Sequence, residues 1–353
     1  SAAPRCIRRV DRVRGCGDSA RVSRAATAVV ALPLSEAAPV AVKDDADVLR
    51  QRRLVRSGCL HHVLSAIRGT DPTSWPPITR ATAWHRLAKY APGGADDPRL
   101  HGTLKRLVYA HERCALEDLG PRDLSSIVWA WGRLRLRRPE LLEATSRHIS
   151  SRLDEFSSRD TSNLIYALGV LKAEPANLLQ ELCDHALAQI PSSNAQDVSN
   201  VVYAFGLLRF VRQDILDAAC VCMAGRLADF KAQEISNMVY TLGLLKHRHV
   251  NLLEVVCEQV PSRLGEFTSQ GLANTTYGIA LLKFRHRAFL KAVCQASSLL
   301  MKSFTTQQMA NLAHAIGLLE LEEPRWLGSM HRPRSLKRAA LNRRMGDAHM
   351  NRL

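Results

Sequence analysis

The sequence predicts an all-α fold, an α-solenoid of helix-turn-helix repeats with a period of thirty-seven residues, on three observations. Asparagine recurs at that period as Asn163, Asn200, Asn237, Asn274 and Asn311, with Ser126 one step earlier. Three residues after each anchor stand Trp129, Tyr166, Tyr203, Tyr240, Tyr277 and His314; eight after stand Leu134, Leu171, Leu208, Leu245, Leu282 and Leu319. Phe156, Phe230, Phe267 and Phe304 precede their anchors by seven, with Leu119 and Ser193 as the weaker members of that column. Columns that keep one phase mark a repeat array. Function is therefore to be sought on the surface of a stack.

Taken in chain order, residues 1–45 are a basic N-terminal extension. Arg5, Arg8, Arg9, Arg12, Arg14, Arg21 and Arg24 lie among Ala, Ser and Val with few acids, the pattern of an organellar transit segment. Residues 46–120 read as a degenerate helical cap: one helix over Asp47 to Ile67, then a pair over Thr79 to Tyr90 and Arg99 to Leu119. Pro92, Gly93, Gly94 and Pro98 lengthen the turn within that pair, and an atypical terminal unit is what a solenoid needs to close its core. Residues 121–330 hold five to six α-hairpin repeats, and residues 331–353 are a basic C-terminal tail without a period match.

Within one repeat, Val198, Val201, Val202, Phe205 and Leu208 have the spacing of one helix face, which defines helix A. Ile215, Leu216, Ala219, Cys220, Met223 and Leu227 do the same for helix B. Ser157 with Asp160, Asn194 with Asp197 and Thr305 with Gln308 have the capping-box spacing that starts helix A. Small residues recur four and six after the anchor, among them Ala167, Gly169, Ala204, Gly206, Gly243 and Gly278. A mid-helix glycine costs ~1 kcal/mol against alanine, so its recurrence implies close packing of one helix A on the next. The expected result is paired antiparallel helices in a right-handed superhelix, with Leu171, Leu208, Leu245 and Leu282 equivalently buried.

Asn and Tyr three apart share a helix face. Two readings follow: buried amides bonding from repeat to repeat as a polar ladder, which the uniform apolar surroundings favour, or amides and rings that meet bases.

The chain carries a formal net charge of +16, and its distribution is uneven. Residues 121–330 carry only +2, the first 120 residues +8 and the last 23 residues +6. Such a balance implies a polyanionic partner, with RNA the commonest. Arg135, Lys172, Arg209, Lys246 and Lys283 end helix A nine after the anchor, and Arg137, Arg138, Arg212, Arg248, Arg285 and Arg287 lie in the following breaks. Cations near a helix C-terminus gain ~0.3–1 kcal/mol from the dipole. The further loop cations go beyond that, so this edge is the candidate phosphate-contact surface. Arg334, Lys337, Arg338, Arg343 and Arg344 of the tail are candidates too, against the plainer reading of a basic helix packed through Leu336 and Leu341.

Cys183, Cys220, Cys257 and Cys294 share one helix B position, which reads as a small buried hydrophobe. Cys6, Cys16 and Cys59 with His61 and His62 lack zinc spacing. His247, Arg248 and His249, and Arg285, His286 and Arg287, suggest a metal pair or proton shuttle but share the same loop position as the basic edge. No glycine loop for phosphate, nucleophile elbow or catalytic carboxylate pair is present; Asp154, Glu155, Asp229 and Glu266 beside Arg152, Arg226 and Arg263 read as surface salt bridging. The expectation is a protein that is not an enzyme, with no cofactor, no metal and no small-molecule substrate. The longest apolar stretch, Ala25 to Leu34, is shorter than the ~20 residues a membrane helix needs.

The strings SNLIYALGVLK, SNVVYAFGLLR, SNMVYTLGLLK and ANTTYGIALLK resemble helix A of the octotricopeptide and heptatricopeptide repeat families, the period resembling the heptatricopeptide form. The resemblance covers residues 121–330 and implies an organellar α-solenoid involved in RNA binding, RNA maturation or mitochondrial ribosome architecture. The nuclease-like C-terminal segment of many members is not recognisable, which argues against a processing enzyme. The first expectation is a non-catalytic RNA-binding protein of the mitochondrial matrix, a structural ribosomal protein that binds ribosomal RNA beside neighbouring proteins. The alternatives are a factor for stability or maturation of organellar transcripts, and a protein-binding scaffold in a large mitochondrial complex.

Overall fold

The computed structural model describes residues 46–175 and 177–319, so the N-terminal extension and the tail, with Arg334, Lys337, Arg338, Arg343 and Arg344, lie outside the described residues. The described chain is all-helical and forms an α-solenoid. Its helices are α1 (Ala46–Arg56), α2 (Leu60–Ile67), α3 (Pro77–Tyr90), α4 (His101–Arg113), α5 (Pro121–Leu134), α6 (Pro139–Ser150), α7 (Ser158–Leu171) and α8 (Leu178–Gln189). They continue as α9 (Ala195–Leu208), α10 (Gln213–Gly225), α11 (Ala232–Leu245), α12 (Val250–Gln259), α13 (Ser269–Leu281), α14 (Arg287–Leu299) and α15 (Thr306–Leu318). From α3 onward the odd-numbered helices pack on one another as an A layer; from α6 the even-numbered ones form a B layer behind it.

The expected single helix over 47–67 is two, interrupted at Ser57 to Cys59, where Gly58 has no side chain to hold the turn. The expected helix over 99–119 is also shorter, ending at Arg113. Its partner α3 joins the array through Trp84, whose ring meets Trp131 of α5 edge-on at 6.1 Å.

Helix A begins where its capping residues stand. Asp160 N donates to Ser157 Oγ, Asp197 N to Asn194 Oδ1 at 2.9 Å, and Gln308 N to Thr305 Oγ1. It ends in a repeated Schellman-type turn. Leu136 N donates to Trp131 O, Ala173 N to Leu168 O, Phe210 N to Phe205 O, His247 N to Leu242 O and Phe284 N to Ile279 O, all within 2.9–3.2 Å. At these helix ends Leu208 and Leu245 are only half-buried, whereas Leu171 and Leu282 are buried. The expectation of four equivalent buried leucines is corrected accordingly.

The small residues lie where A helices touch. A Cβ on Gly169 would fall 2.9 Å from the Ala204 Cα, and one on Gly278 would fall 2.4 Å from the Val239 carbonyl oxygen. Behind this seam Phe156, Phe230 and Phe267 are buried, and Cys183, Cys220 and Cys257 are fully buried with thiols pushed up to about 12 by burial.

The asparagine ladder does not form. Among the described residues no hydrogen bond links the amides of Asn163, Asn200, Asn237 and Asn274 from unit to unit, and Asn311 accepts only from Gln307 in its own helix. The seam between A helices runs through the neighbouring positions instead. Ser125 Oγ donates to Asp160 Oδ1 at 2.7 Å, Ser162 Oγ to Asp197 Oδ1 at 3.1 Å and Thr275 Oγ1 to Ser236 Oγ at 3.2 Å. A second ladder joins the B-layer ends. Arg152 donates to Leu119 O, Gln189 to Phe156 O, Arg226 to Ser193 O and Arg263 to Phe230 O. The surface salt bridging read from the sequence is present as Arg152–Glu155 and Arg263–Glu266, but those arginines also bind the preceding unit.

Candidate functional site

With both flanks of each A helix against its neighbours and its back against the B layer, one stripe remains toward solvent. In α9 it consists of Gln196, Asn200, Tyr203 and Leu207, at offsets of four, three and four that place them on one helix face. The same positions in α7 are Arg159, Asn163, Tyr166 and Val170, in α11 Gln233, Asn237, Tyr240 and Leu244, and in α5 Arg122, Ser126, Trp129 and Arg133. From α5 to α11 the anchor residues Ser126, Asn163, Asn200 and Asn237 reach this face half-buried, with Tyr203 and Tyr240 buried beneath it, and Asn274 of α13 is buried. Over α5 to α11 the arrangement follows the second of the two sequence readings.

The rings run in register along it. His85 stacks on Trp129 at 5.1 Å and 26°, and Tyr166 stacks on Tyr203 at 6.1 Å and 23°. Tyr240 meets Tyr277 at 6.2 Å, and Tyr277 meets His314 at 6.0 Å. Burial, then the adjoining tyrosines, raises the Tyr203 hydroxyl's pKa, and burial pushes Tyr240 up to about 12. These phenols stay protonated and able to donate at neutral pH. Burial, reinforced by Arg86, Lys89 and Arg122, lowers the pKa of His85 and favours its neutral ring.

Two clefts flank the stripe. Near the helix A starts, Gln233, Asn237, Gln270 and Asn274 line a cleft of about 600 Å³, together with Asp229 and Lys231. Near the helix A ends, Arg133, Arg135, Lys172, Tyr166 and Tyr203 share a cleft of about 370 Å³ with the 91–96 loop.

Arg135, Lys172, Arg209, Lys246 and Lys283 are all exposed and all left-handed, with φ between 52° and 57°. This is the helix-end position that favours glycine. A side chain there costs about 1–2 kcal/mol, more than the ~0.3–1 kcal/mol that a cation gains from the helix dipole. Capping therefore does not account for five cations in succession, and an observed backbone outlier of this kind points toward function.

The other predicted contacts divide. Arg137 and Arg138 share a neighbouring cleft with Lys172. Arg248 lies over the Phe284 ring at 5.9 Å, and Arg285 and Arg287 are exposed in and after the next loop. Arg212 is tied down: its guanidinium pairs with Asp214 at 2.7 Å and Asp184 at 3.0 Å, which removes it from the candidate phosphate contacts.

The loop histidines have structural work. His249 Nδ1 accepts from Leu252 N and His286 Nδ1 from Phe289 N, both at 3.2 Å, so each caps a B helix. His247 is buried, with Nε2 3.0 Å from Asp217 Oδ1. These roles replace the metal-pair and proton-shuttle reading. Among the described residues no group of three or more His, Cys, Asp or Glu is gathered to hold a metal ion, and no helix is long and apolar enough to cross a membrane.

Sequence reasoning missed Arg133, the glutamines Gln196, Gln233 and Gln270, and the 91–96 loop. The signal available for the first two was a polar residue seven after or four before the anchor in an otherwise apolar helix. The loop offered none, because it approaches α5 only through the fold.

Residues 107–249, from within α4 to the start of α12, match the family model of the RNA-editing substrate-binding complex 6 protein. This segment, about two-fifths of the chain, includes the stripe of α5 through α11 and all cap cations from Arg135 to Lys246. No curated protein matches the chain. The similarity is to an RNA-associated helical family; it does not identify the repeats as octotricopeptide or heptatricopeptide.

Proposed function

We propose that this chain is a non-catalytic single-stranded RNA-binding repeat protein of a mitochondrial RNA-maturation assembly. The observation that carries the reading is the stripe of amides and aromatic rings over α5 to α11, bordered by cations at left-handed helix ends. Aromatic faces stack on bases of a single strand and are tolerant of sequence, amides bond base edges, and cations outside the stripe take phosphates. A double helix is a poor fit, because its bases already stack on one another.

The match to an RNA-editing substrate-binding family supports a maturation role over a structural ribosomal one. The ribosomal reading leans on basic terminal segments outside the described residues, whereas the stripe lies in the array itself. The Arg-rich, acid-poor start of the sequence supports mitochondrial import. The protein's part in the assembly is binding, with neighbouring proteins supplying any chemistry.

Sedimentation of the tagged protein from mitochondrial extract, with and without ribonuclease, tests this together with direct binding. The expected result is a particle lighter than a ribosomal subunit that shrinks on ribonuclease treatment, with purified protein preferring single-stranded to double-stranded RNA. Co-migration with ribosomal subunits would restore the ribosomal reading. A particle indifferent to ribonuclease, with no RNA bound by the purified protein, would leave a protein scaffold.

A further inference from the structure

The cleft at the helix A ends of α5, α7 and α9 differs from the rest of the stripe. The connection between α3 and α4 is longer than the other A-to-B breaks, and its 91–96 segment folds against the end of α5. Gly94 makes this possible: it has φ +67°, and a Cβ there would stand 2.8 Å from the Leu134 carbonyl oxygen. Beyond the loop Asp97 accepts from Arg99 N at 3.0 Å and pairs with the Arg99 guanidinium at 2.6 Å, which fixes the connection before any ligand arrives.

The enclosed space combines three kinds of surface. Tyr166 presents a half-buried ring backed by the buried ring of Tyr203, Val170 and Leu207 extend it with apolar surface, and Arg133 and Lys172 are exposed cations at the rim. Arg135 and Asp96 are the other charged groups facing it. A planar apolar body with an anion attached meets all three. The amide cleft between α11 and α13 differs: it sets Asp229 and Glu266 beside Lys231 and Arg263, and no tyrosine lines it.

Resting on the single-stranded RNA reading, we propose that this cleft holds one nucleotide of the bound strand, its base against Tyr166, which Tyr203 backs, and its phosphate between Arg133 and Lys172. It fixes the register of the strand on the array. At the positions equivalent to Arg133 the later units carry Val170, Leu207, Leu244 and Leu281, so no second unit pairs a cap cation with an arginine on the stripe.

The test uses the full chain and short single-stranded RNAs containing 4-thiouridine. Irradiation followed by peptide mapping should place a crosslink on Tyr166, Tyr203 or the 91–96 loop. Tyr166→Leu, which keeps apolar packing at a half-buried site, should weaken binding by roughly 5- to 150-fold, the range for one stacked base. Arg133→Gln with Lys172→Gln, both exposed, should weaken binding and lower the salt slope by about 1.4, the value for two phosphate contacts on a single strand. A folded double variant with unchanged affinity and slope, or crosslinks confined to α11–α15, would overturn the proposal while leaving RNA binding in place. Absence of RNA binding by the wild-type chain would remove both readings. Displacement of the strand by micromolar mononucleotide would overturn the strand assignment in favour of a free-nucleotide site.

Discussion

The Arg263 guanidinium donates through Nη2 to the carbonyl oxygen of Phe230, 2.8 Å away, in the preceding unit. Its Nη1 reaches Leu227 O at 3.0 Å, while Glu266 holds the other edge at 2.8 Å. One side chain thus bonds two carbonyls of the turn that follows the previous helix B. Hydrogen bonds to a charged donor contribute about 1.5–3 kcal/mol. Arg263→Met should lower the denaturation midpoint by a stability loss in that range, and a loss below about 0.5 kcal/mol would show that the contact is dispensable.

Two glycines in the A layer should respond oppositely to alanine. Gly278→Ala forces a methyl toward the Val239 carbonyl oxygen and should destabilise by about 1–3 kcal/mol. Gly317→Ala meets nothing within 4 Å and should stabilise by up to about 1 kcal/mol through helix propensity. Thermal denaturation of the two variants checks both signs.

The cap cations set stability against binding. Lys246→Gly and Lys283→Gly relieve left-handed backbone at φ 57° and 52°, and each should stabilise the chain by about 0.5–1 kcal/mol. The same changes should weaken RNA binding and flatten its salt dependence by ~0.7 per lost phosphate contact. Stabilised variants that bind RNA as well as wild type would leave the strained cations without a role in RNA contact.

His111 should make the cap acid-sensitive. It is buried between Trp131, whose ring lies 5.0 Å away edge-on, and Thr145, whose Oγ1 lies 3.0 Å from Nε2. Burial, then nearby Arg80, lowers its pKa from 6.5 to about 4. The folded state disfavours the charged ring, so the unfolded chain takes up the proton first. Stability is unaffected well above pH 6.5, falls as pH drops from 6.5 toward 4, and loses about 3 kcal/mol at the limit. His111→Gln should abolish that component in urea midpoints measured across this range.

Burial separates leucines that the period makes equivalent. Leu171 is buried, and Leu171→Ala should cost about 2–5 kcal/mol. Leu208 is half-buried at a helix end, so Leu208→Ala should cost less. Equal losses in chemical denaturation would contradict the packing described for the end of α9.

The repeat phase, the paired helices, the caps at Ser157, Asn194 and Thr305 and the buried cysteines were legible because local propensity and hydrophobic spacing set them. The glycine column likewise announced close helix contact, since a mid-helix glycine has a cost that only packing offsets. Periodicity equates positions without saying which way they face. Asn200 and Ser199 are adjacent in an apolar helix, and only the rotation of α9 between α7 and α11 turns the serine into the seam and the amide toward solvent. Arg212 reads from the sequence as one more loop cation, yet Asp184 from the preceding unit engages its guanidinium. The cleft that joins Gly94, Arg133 and Tyr203 exists only after residues far apart in sequence are stacked. Periodic spacing therefore determined which residues recur together, whereas the register between neighbouring helices decided which of them meet a partner.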